Sequence, residues 1–325
     1  MTDDARWLAA AASLAARARP LSRPNPAVGA VLVKAGRVIG RGWTQPGGRP
    51  HAEAVALEQA GEAAHGATLY VTLEPCAHQS PRGPDCAGLV AASDVTRVVI
   101  GCEDPDPRTA GAGIARLRAA GIKASLLPCP EARGSLSGYL MQRQRGRPEV
   151  TLKLALSLDG AIATASGESQ WITGEASRAH AHAMRAKMDA ILVGGGTLRA
   201  DSPRLDVRLP GLEARSPQRW VLTRGEAPPG WQALAAPEAV SGMTEVQYLL
   251  VEGGAQTAAA FLRAGLVDRL MIYRAPIVIG GGQPGVADLG LASLAAAHGQ
   301  WQEDAVLRLG SDRLEVYSRT PCSLA

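Results

Sequence analysis

A histidine and two cysteines, spaced as metal ligands, constrain this chain more than any other feature of its sequence. His51 begins a His-x-Glu triplet that ends at Glu53, and Cys76 and Cys86 follow downstream, the first directly after a proline. One imidazole and two thiolates form the ligand set of catalytic zinc sites, which leave the fourth position open for water. We therefore expect His51, Cys76 and Cys86 to bind one Zn²⁺ ion.

The residues around this ligand set suit a hydrolytic deamination. Zinc lowers the pKa of bound water from about 16 to about 7, which supplies hydroxide at neutral pH. A carboxylate beside the metal can carry a proton from that water to the substrate ring and then to the leaving amine, and Glu53 is the candidate. A His-x-Glu triplet followed by Pro-Cys is the signature by which zinc deaminases are recognised. Both cysteines also precede predicted helices, whose positive ends favour thiolates.

The spacing of the cysteines leaves a second kind of site open. Nine residues separate Cys76 from Cys86, whereas the usual deaminase spacing is Cys-x-x-Cys, so we expect a loop with two prolines and a glycine to bulge outwards. A structural zinc site would need a fourth protein ligand, and His78 is available for that role. A pair of buried thiols also occurs without any metal. We favour the catalytic interpretation because the ligand types, their order and the proline before Cys76 agree.

Length and composition bound the classes of function. The chain has 325 residues, 46% of them hydrophobic, which predicts two domains that each bury a core. Its formal net charge of +4 is compatible with anionic small-molecule substrates but does not indicate them, and because its basic residues are dispersed we expect no nucleic-acid partner. No apolar run is long enough to cross a membrane, so no membrane partner is expected. Five cysteines and an acidic start at Asp3 and Asp4, without a secretory signal, predict a cytoplasmic protein.

The first half of the chain alternates predicted helices and strands. Helices are expected over 2–19, 51–64, 87–92, from a loop at 104–113 to near 121, and over 130–143; strands are expected over 30–33, 37–43, 68–73, 96–101 and 122–127. This alternation predicts an α/β sandwich whose sheet is mostly parallel at one end. Ligands gather at the carboxyl ends of such strands, where the cysteine loop falls. A polar segment over 143–148 is expected to link domains at 1–145 and 149–325.

Asn25 is the other polar residue that the first half singles out. It lies between two prolines, which hold it in extended backbone because residues before proline avoid the α region. Its amide offers a donor and an acceptor side by side and could bind the edge of a heterocycle. A simple turn is the alternative interpretation.

The second half carries two strand–glycine–helix junctions. Three glycines follow a predicted strand over 189–193, and Gly253 and Gly254 follow another that begins at Tyr248. Such junctions let backbone amides approach a phosphate, and two of them suit the edges of one dinucleotide site. The pattern is not Gly-x-Gly-x-x-Gly, so a Rossmann fold is not expected. Strands over 149–156, 267–273, 275–279, 305–309 and 313–317 complete the predicted sheet.

Together these motifs resemble the bifunctional riboflavin-biosynthesis deaminase/reductase family over nearly the whole chain. The resemblance is carried by residues 23–29, the His-x-Glu triplet, the long cysteine loop and residues 103–105. The family's His-Pro-Asn-Pro, Cys-Ser-His-His and Asp-Pro-Asn-Pro motifs read Arg-Pro-Asn-Pro, Cys-Ala-His-Gln and Asp-Pro-Asp-Pro here, the last with Asp106 in place of asparagine. The resemblance implies an α/β protein with an N-terminal cytidine-deaminase-like three-layer sandwich, a C-terminal dihydrofolate-reductase-like domain, and Zn²⁺ and NADPH as cofactors.

The same resemblance implies two consecutive reactions in riboflavin biosynthesis. The first deaminates 2,5-diamino-6-ribosylamino-4(3H)-pyrimidinone 5′-phosphate. The second reduces the ribosyl group to ribityl with NADPH and gives 5-amino-6-ribitylamino-uracil 5′-phosphate. The implied partner is thus a phosphorylated pyrimidine, and a homo-oligomer is implied by the family alone. A nucleoside or tRNA adenosine/cytidine deaminase with an accessory domain is the alternative enzyme, and a non-catalytic zinc-stabilised binding module is the alternative from another class.

Residue roles are carried over by position. The resemblance implies Glu53 as catalytic residue, Asn25 and His78 as deaminase substrate contacts, Ala155, Trp171, Thr197, Asp201 and Gly254 as nucleotide contacts, and Lys153, Ser169, Arg185, Leu205, Arg208 and Glu252 as reductase substrate contacts. Either Lys153 or Glu252 could supply the proton of the reduction, and the sequence does not choose between them. The segment 209–251 is shorter than in the family, so the sequence does not assign the residues that would bind the adenosine part of NADPH.

Overall fold

The chain folds into two compact units. The structure is a computed structural model that describes residues 3–78 and 81–320. Its backbone contacts divide the chain into Met1–Gly146 and Arg147–Ala325. Each unit has its own sheet and its own hydrophobic core. Within the described ranges, no helix is both long enough and apolar enough to cross a bilayer.

The N-terminal unit is built on a sheet with the strand order β2-β1-β3-β4-β5. Its strands are β1 Gly29–Lys34, β2 Arg37–Trp43, β3 Thr68–Val71, β4 Arg97–Ile100 and β5 Lys123–Leu126. Its helices are α1 Asp3–Ala15, α2 Ala52–Ala60, α3 Cys86–Ala91, α4 Ala112–Ala119, α5 Pro130–Ser135 and α6 Ser137–Arg145, with 3₁₀ turns at Pro46–Gly48 and Gly61–Ala64. Strands β3, β4 and β5 are parallel, whereas β1 is antiparallel to both of its neighbours.

Side chains alternate between the two faces of this sheet and bury a core on each. Leu32 belongs to the cluster on one face and Val31 to the cluster on the other, as the two-residue period of a strand requires. Helices α2, α3, α4 and α6 pack on the first face, and α1 and α5 on the second. The predicted three-layer sandwich is therefore confirmed.

The C-terminal unit contains a larger sheet with the order β10-β9-β8-β11-β6-β12-β15-β14, and a short β13-β7 pair. The strands are β6 Glu149–Leu156, β7 Ala161–Ala163, β8 Ala190–Gly194, β9 Gln218–Leu222, β10 Gln232–Leu234, β11 Tyr248–Val251, β12 Arg269–Arg274, β13 Gln283–Pro284, β14 Trp301–Leu309 and β15 Asp312–Arg319. The helices are α7 Glu175–Arg185, α8 Gly195–Asp201 and α9 Ala255–Arg263, with 3₁₀ turns at Glu213–Arg215, Pro237–Gly242 and Leu294–Ala297. Neighbours are parallel from β10 to β12, and β15 is antiparallel to both β12 and β14.

The strand predicted over 275–279 is wrong. The carbonyl of Ile277 accepts a 2.8 Å hydrogen bond from the backbone N–H of Leu158. The Asp159 carboxylate then accepts hydrogen bonds from the backbone N–H groups of Ile279 at 3.2 Å and Gly280 at 2.8 Å. Within the segment, the backbone N–H of Ile279 is thus bound by a side chain rather than by a neighbouring strand, and the segment forms a loop.

Several predicted helices are shorter than expected. The helix expected over 130–143 is two helices, because Leu136 between them has φ −105° and ψ 4°. Helix α2 ends at Ala60, since Gly61 turns to φ 52°. Helix α1 ends at Ala15 rather than at residue 19, and its predicted first residue, Thr2, lies outside the described residues.

Candidate active sites

The three predicted metal ligands meet in the N-terminal unit. The ligand atoms of His51, Cys76 and Cys86 all lie within 4.8 Å of one another. Nδ1 of His51 is 3.1 Å from Sγ of Cys86 and 3.6 Å from Sγ of Cys76. Zinc bonds of about 2.0–2.1 Å to nitrogen and about 2.3 Å to sulfur place such atoms roughly 3.5 Å apart in a tetrahedral site. The donor set and its spacing therefore fit one zinc ion.

Two helix starts and one strand end position these ligands. His51 directly precedes α2 in extended backbone, with φ −73° and ψ 163°. Cys86 is the first residue of α3, whose N-cap Asp85 accepts a 2.7 Å bond from the Gly88 N–H. Cys76 lies beyond the end of β3, close to the backbone N–H of Cys86, which is 3.4 Å from its sulfur. These local geometries bring ligands from three separate segments to one point.

The helix predicted after Cys76 is absent in the part of the loop that the structure describes. The thiolate is stabilised by other means. A hydrogen bond from the Cys86 thiol, with a further contribution from His51, lowers the pKa of Cys76 to about 4 against the opposing effect of burial. A readily ionised thiol suits a zinc ligand, because the metal binds the thiolate.

Glu53 lies in the first turn of α2, beside the metal ligands. It is 3% exposed, and burial raises the pKa of its carboxyl group, partly opposed by the charge of His51. A carboxyl group with a raised pKa holds a proton more readily than an ordinary glutamate, which suits a group that accepts a proton and passes it on. The position and surroundings of Glu53 are those of a proton shuttle.

A cavity of about 230 Å³ opens on this centre. Asn25 and His78 both line it. The Asn25 amide nitrogen lies 2.9 Å from the Gly48 carbonyl oxygen and 3.2 Å from Nε2 of His51. His78 is outside the ligand cluster, and its Nδ1 is 3.3 Å from the Thr109 hydroxyl. The role of His78 as a fourth structural ligand is therefore not supported by the described residues.

Three further residues that line this cavity, Glu74, Asp104 and Tyr139, have no role assigned to them from the sequence. The Glu74 carboxylate accepts hydrogen bonds from the backbone N–H groups of Gly111 and Ile114, each at 3.0 Å, and of Asp104 at 3.4 Å. It thereby fixes the loop after β4 to the start of α4. Tyr139 donates a 2.8 Å hydrogen bond to Asp104 from helix α6. The sequence signals for them are the position of Glu74 immediately before the Pro-Cys pair and the motif at residues 103–105, which includes Asp104.

Two arginines tie the cysteine loop to the segment before His51. Arg49 donates a 3.1 Å hydrogen bond to the Pro84 carbonyl. Arg82 donates in the opposite direction, to the Gly47 carbonyl. Both arginines also line the cavity. The two bonds cross between the same pair of loops and hold the described part of the long cysteine loop beside the metal centre.

A second cavity, of about 500 Å³, lies in the C-terminal unit. The carboxyl halves of β6 and the residues after β11 form part of its wall, together with α7 and α8. The structure brings together there all but one of the residues predicted for the reductase, namely Lys153, Ala155, Ser169, Trp171, Arg185, Thr197, Asp201, Arg208, Glu252 and Gly254. The exception, Leu205, is 5% exposed in a core cluster that includes Ile191, so its substrate contact stays a prediction.

Glu252 is the electrostatic centre of this second cavity. Its carboxylate accepts hydrogen bonds of 2.8 and 2.9 Å from the Arg185 guanidinium and lies 3.5 Å from Nζ of Lys153. Burial opposes ionisation of Glu252, but the two cations outweigh it and lower its pKa to about 2. The carboxylate therefore stays ionised at neutral pH.

Trp171 forms an apolar wall of the same cavity. It is 63% exposed, and the Arg178 guanidinium lies 5.0 Å above its ring. At Gly196, which also lines the cavity, nothing lies within 4 Å of the place where a Cβ would be. A ring beside open space and bare backbone suits a large planar cofactor.

Comparison with known proteins assigns both units. Residues 148–313 match the family described as RibD C-terminal domain, and residues 1–102 match the cytidine and deoxycytidylate deaminase zinc-binding region. The riboflavin biosynthesis protein RibD of Aquifex aeolicus is 36% identical over 97% of this chain and 98% of its own length. RibD of Mycobacterium tuberculosis is 40% identical over 90% of each chain.

Solved structures agree with these relatives over the full length of the fold. Acinetobacter baumannii RibD superimposes with a TM-score of 0.85 at 36% identity, over 98% of this chain and 99% of that one. A Thermotoga maritima protein named diaminohydroxyphosphoribosylaminopyrimidine deaminase/5-amino-6-(5-phosphoribosylamino)uracil reductase gives a TM-score of 0.87 at 30% identity, over 98% and 99%. The family resemblance inferred from the motifs is confirmed, and the chain belongs to the RibD family, the bifunctional deaminase/reductases of riboflavin biosynthesis.

Proposed function

We propose that the N-terminal unit deaminates 2,5-diamino-6-ribosylamino-4(3H)-pyrimidinone 5′-phosphate and that the C-terminal unit reduces the deaminated product with NADPH to 5-amino-6-ribitylamino-uracil 5′-phosphate. One observation carries this assignment. A His/Cys/Cys metal centre beside the buried Glu53 and a separate cavity centred on Glu252 occur in one chain. A nucleoside or tRNA deaminase with an accessory domain would leave the second cavity without a role.

In the deamination, His51, Cys76 and Cys86 hold the metal. Zinc supplies a Lewis acid that makes water nucleophilic at neutral pH. Glu53 would move two protons in turn: one from the attacking water to a ring nitrogen as the C–O bond forms, and then the second proton of that water to the amine as the C–N bond breaks and ammonia leaves. Asn25 and His78, which line the cavity, hold the edge of the pyrimidine.

In the reduction, the residues of the second cavity bind and orient. NADPH supplies the hydride when it is bound. Its site is proposed to include Ala155, Trp171, Thr197, Asp201 and Gly254, and a cavity of about 500 Å³ has room for the reacting part of the nucleotide. Ser169, Arg185, Leu205 and Arg208 are proposed to hold the phosphorylated substrate. The reduction also needs a proton. We assign its donation to Lys153, because Glu252 is held as a carboxylate.

One assay tests both halves. Zinc-loaded protein should release one ammonia per molecule of the diaminopyrimidine phosphate and should then oxidise NADPH in the same tube. NADPH oxidation should not begin without the first step unless deaminated substrate is supplied. Zinc-loaded protein that releases no ammonia would refute the deaminase assignment, and failure to oxidise NADPH with deaminated substrate would refute the reductase assignment.

We further propose that the protein works in the cytoplasm as a homo-oligomer. The four described cysteines, Cys76, Cys86, Cys102 and Cys129, are all free thiols, which suits a reducing compartment; Cys322 lies outside the described residues. Oligomerisation is proposed from family resemblance and is tested by sedimentation of the purified protein. A single species at the monomer mass of 33.7 kDa would contradict it.

A further inference from the structure

Asp106 is the position at which this chain departs from the family's Asp-Pro-Asn-Pro motif. A carboxylate there introduces a charge at the cavity wall where the family carries a neutral amide. Asp106 is only 4% exposed, and a buried carboxylate is costly unless it is paired and hydrogen-bonded. The structure shows how the charge is accommodated.

Two arginines from different elements bind this carboxylate. Arg108, two residues along the same loop, donates from Nε at 3.0 and 3.2 Å and from Nη2 at 2.6 Å. Arg143, on helix α6, places Nη2 3.6 Å from the same side chain. Two guanidiniums thus share the Asp106 carboxylate, and the Asp104 carboxylate also lines this wall of the cavity.

Asp104 and Tyr139 support the cluster formed by Asp106, Arg108 and Arg143. The backbone N–H of Asp106 donates a 3.0 Å bond to Asp104, which also accepts the hydroxyl of Tyr139. The Arg143 guanidinium lies 5.4 Å from the centroid of the Tyr139 ring. The two arginine side chains are 61% and 44% exposed, so their cationic faces remain accessible while Asp106 orients them. Charged donors oriented before binding lose little freedom when an anion arrives.

We propose that Arg108 and Arg143, oriented by Asp106, bind the 5′-phosphate of the deaminase substrate and make this unit selective for phosphorylated pyrimidines. The proposal rests on the proposed deaminase function. Two of the metal ligands, His51 and Cys76, line the same cavity as the arginine pair, so a substrate whose ring reaches His51 can extend its phosphate towards that pair. Guanidinium groups bind phosphate oxygens bidentately, which a single ammonium group does not.

The other two arginines that line the cavity hold loops together. Arg49 and Arg82 each donate to a backbone carbonyl of the opposite loop, as described above. Arg108 and Arg143 differ from them, because they converge on one buried carboxylate rather than on the backbone. Because they converge in this way, we assign the phosphate to Arg108 and Arg143 rather than to Arg49 and Arg82.

The test compares two substrates. Deamination is measured with the pyrimidine ribosylamine phosphate and with the same compound lacking its phosphate. For Arg143→Gln and Arg108→Gln, kcat/KM should fall about tenfold or more on the phosphorylated compound, as expected for a lost charge-assisted bond, and stay within about twofold on the other. Equal losses on both compounds, or no loss on the phosphorylated one, would overturn the proposal.

Arg145→Gln is the matched control, because Arg145 is exposed on the same helix and is not among the residues that line the cavity. It should keep the wild-type preference for the phosphorylated compound. A loss of preference in this variant equal to that of Arg143→Gln would show that general surface charge, and not the subsite, selects the phosphate.

A double-mutant cycle tests the part played by Asp106. In an Asp106→Asn background, Arg143→Gln should cost less than it does in the wild-type protein, because the carboxylate that orients Arg143 is already gone. Additive effects would overturn the orienting role. The wild-type measurement distinguishes the two failures: no ammonia from either compound would refute the deaminase function itself, whereas deamination without phosphate preference would refute only the phosphate site.

Discussion

Gly42 in β2 lies directly against the carbonyl oxygen of Ala52, the first residue of α2. A Cβ at Gly42 would lie 2.0 Å from that oxygen and 2.8 Å from the backbone nitrogen of Ala56. Helix α2 carries Glu53 and begins immediately after His51. The absence of a side chain at Gly42 therefore allows α2 to pack this closely against β2.

Gly42→Ala should displace α2 and lower ammonia release much more than NADPH oxidation with deaminated substrate. Overpacking of this kind destabilises a protein by about 1–3 kcal/mol, so the N-terminal unit should also melt earlier. Gly134→Ala is the control, since nothing lies within 4 Å of its Cβ position. Both activities and both melting transitions should be measured, and equal losses in the two activities would contradict the assigned role of Gly42.

Glu53→Gln should abolish deamination while the protein keeps its zinc. Loss of a proton shuttle should lower kcat about 10²- to 10⁴-fold. Glu58→Gln changes an exposed residue of the same helix and should keep wild-type turnover. Ammonia release and metal content are measured on the same samples. Wild-type turnover in Glu53→Gln would contradict the proton-shuttle role and would favour a structural metal site.

Removal of zinc should separate the two reactions. A chelator should stop ammonia release but leave NADPH oxidation with deaminated substrate within about twofold of its starting rate, because the described ligands all belong to the N-terminal unit. Cys86→Ser should likewise lose bound zinc, whereas Cys102→Ser, outside the ligand cluster, should retain it. Chelation that abolishes both reactions equally would show that the reductase also depends on the metal.

Glu252 predicts a specific dependence of stability on pH. Its folded-state pKa is about 2, below the ordinary value of 4.5, so its contribution is fully present above the ordinary value and is lost as the pH falls towards 2. A shift of this size corresponds to a contribution on the order of 3 kcal/mol. The unfolding free energy of wild-type protein should therefore fall more steeply below about pH 4.5 than that of Glu252→Gln, which lacks the group.

The same substitution should lower reductase activity at neutral pH, because Lys153 and Arg185 would lose their shared carboxylate. Glu245→Gln, at an exposed position in the same unit, should keep the wild-type activity and the wild-type pH profile. Denaturant unfolding at several pH values measures the stability difference. Parallel profiles for wild type and Glu252→Gln would contradict the ion-pair assignment.

Much of the fold could be predicted because the signals are local. The strand over 149–156 was predicted to the residue, since its apolar run is buried on both faces in the middle of the sheet. Two of the metal ligands could be predicted because each has a recognisable neighbour, Glu53 for His51 and a proline for Cys76, and Cys86 completes the ligand set. The structure brings these ligands within bonding range of one ion.

The missed features depend on partners that are distant in sequence. Asp106 and Arg143 come from different elements, and nothing in either local sequence indicates that they pair. The strand wrongly predicted over 275–279 has the right composition, but Asp159, far upstream, binds the backbone N–H of Ile279 and of the following Gly280. The hydrophobic periodicity of a segment does not show such long-range hydrogen bonds. Likewise, only the fold reveals that Leu205 is buried in the core.

The hydrogen bonds of Arg49 and Arg82 join two loops, so that neither loop can be replaced without the other. Transplanting the long cysteine loop into a relative whose own loop is shorter would move Arg82 and leave behind both the Gly47 carbonyl that it binds and the Arg49 guanidinium that binds Pro84. A functional chimera would therefore require residues 47–50 to travel with residues 81–85, although some thirty positions separate them.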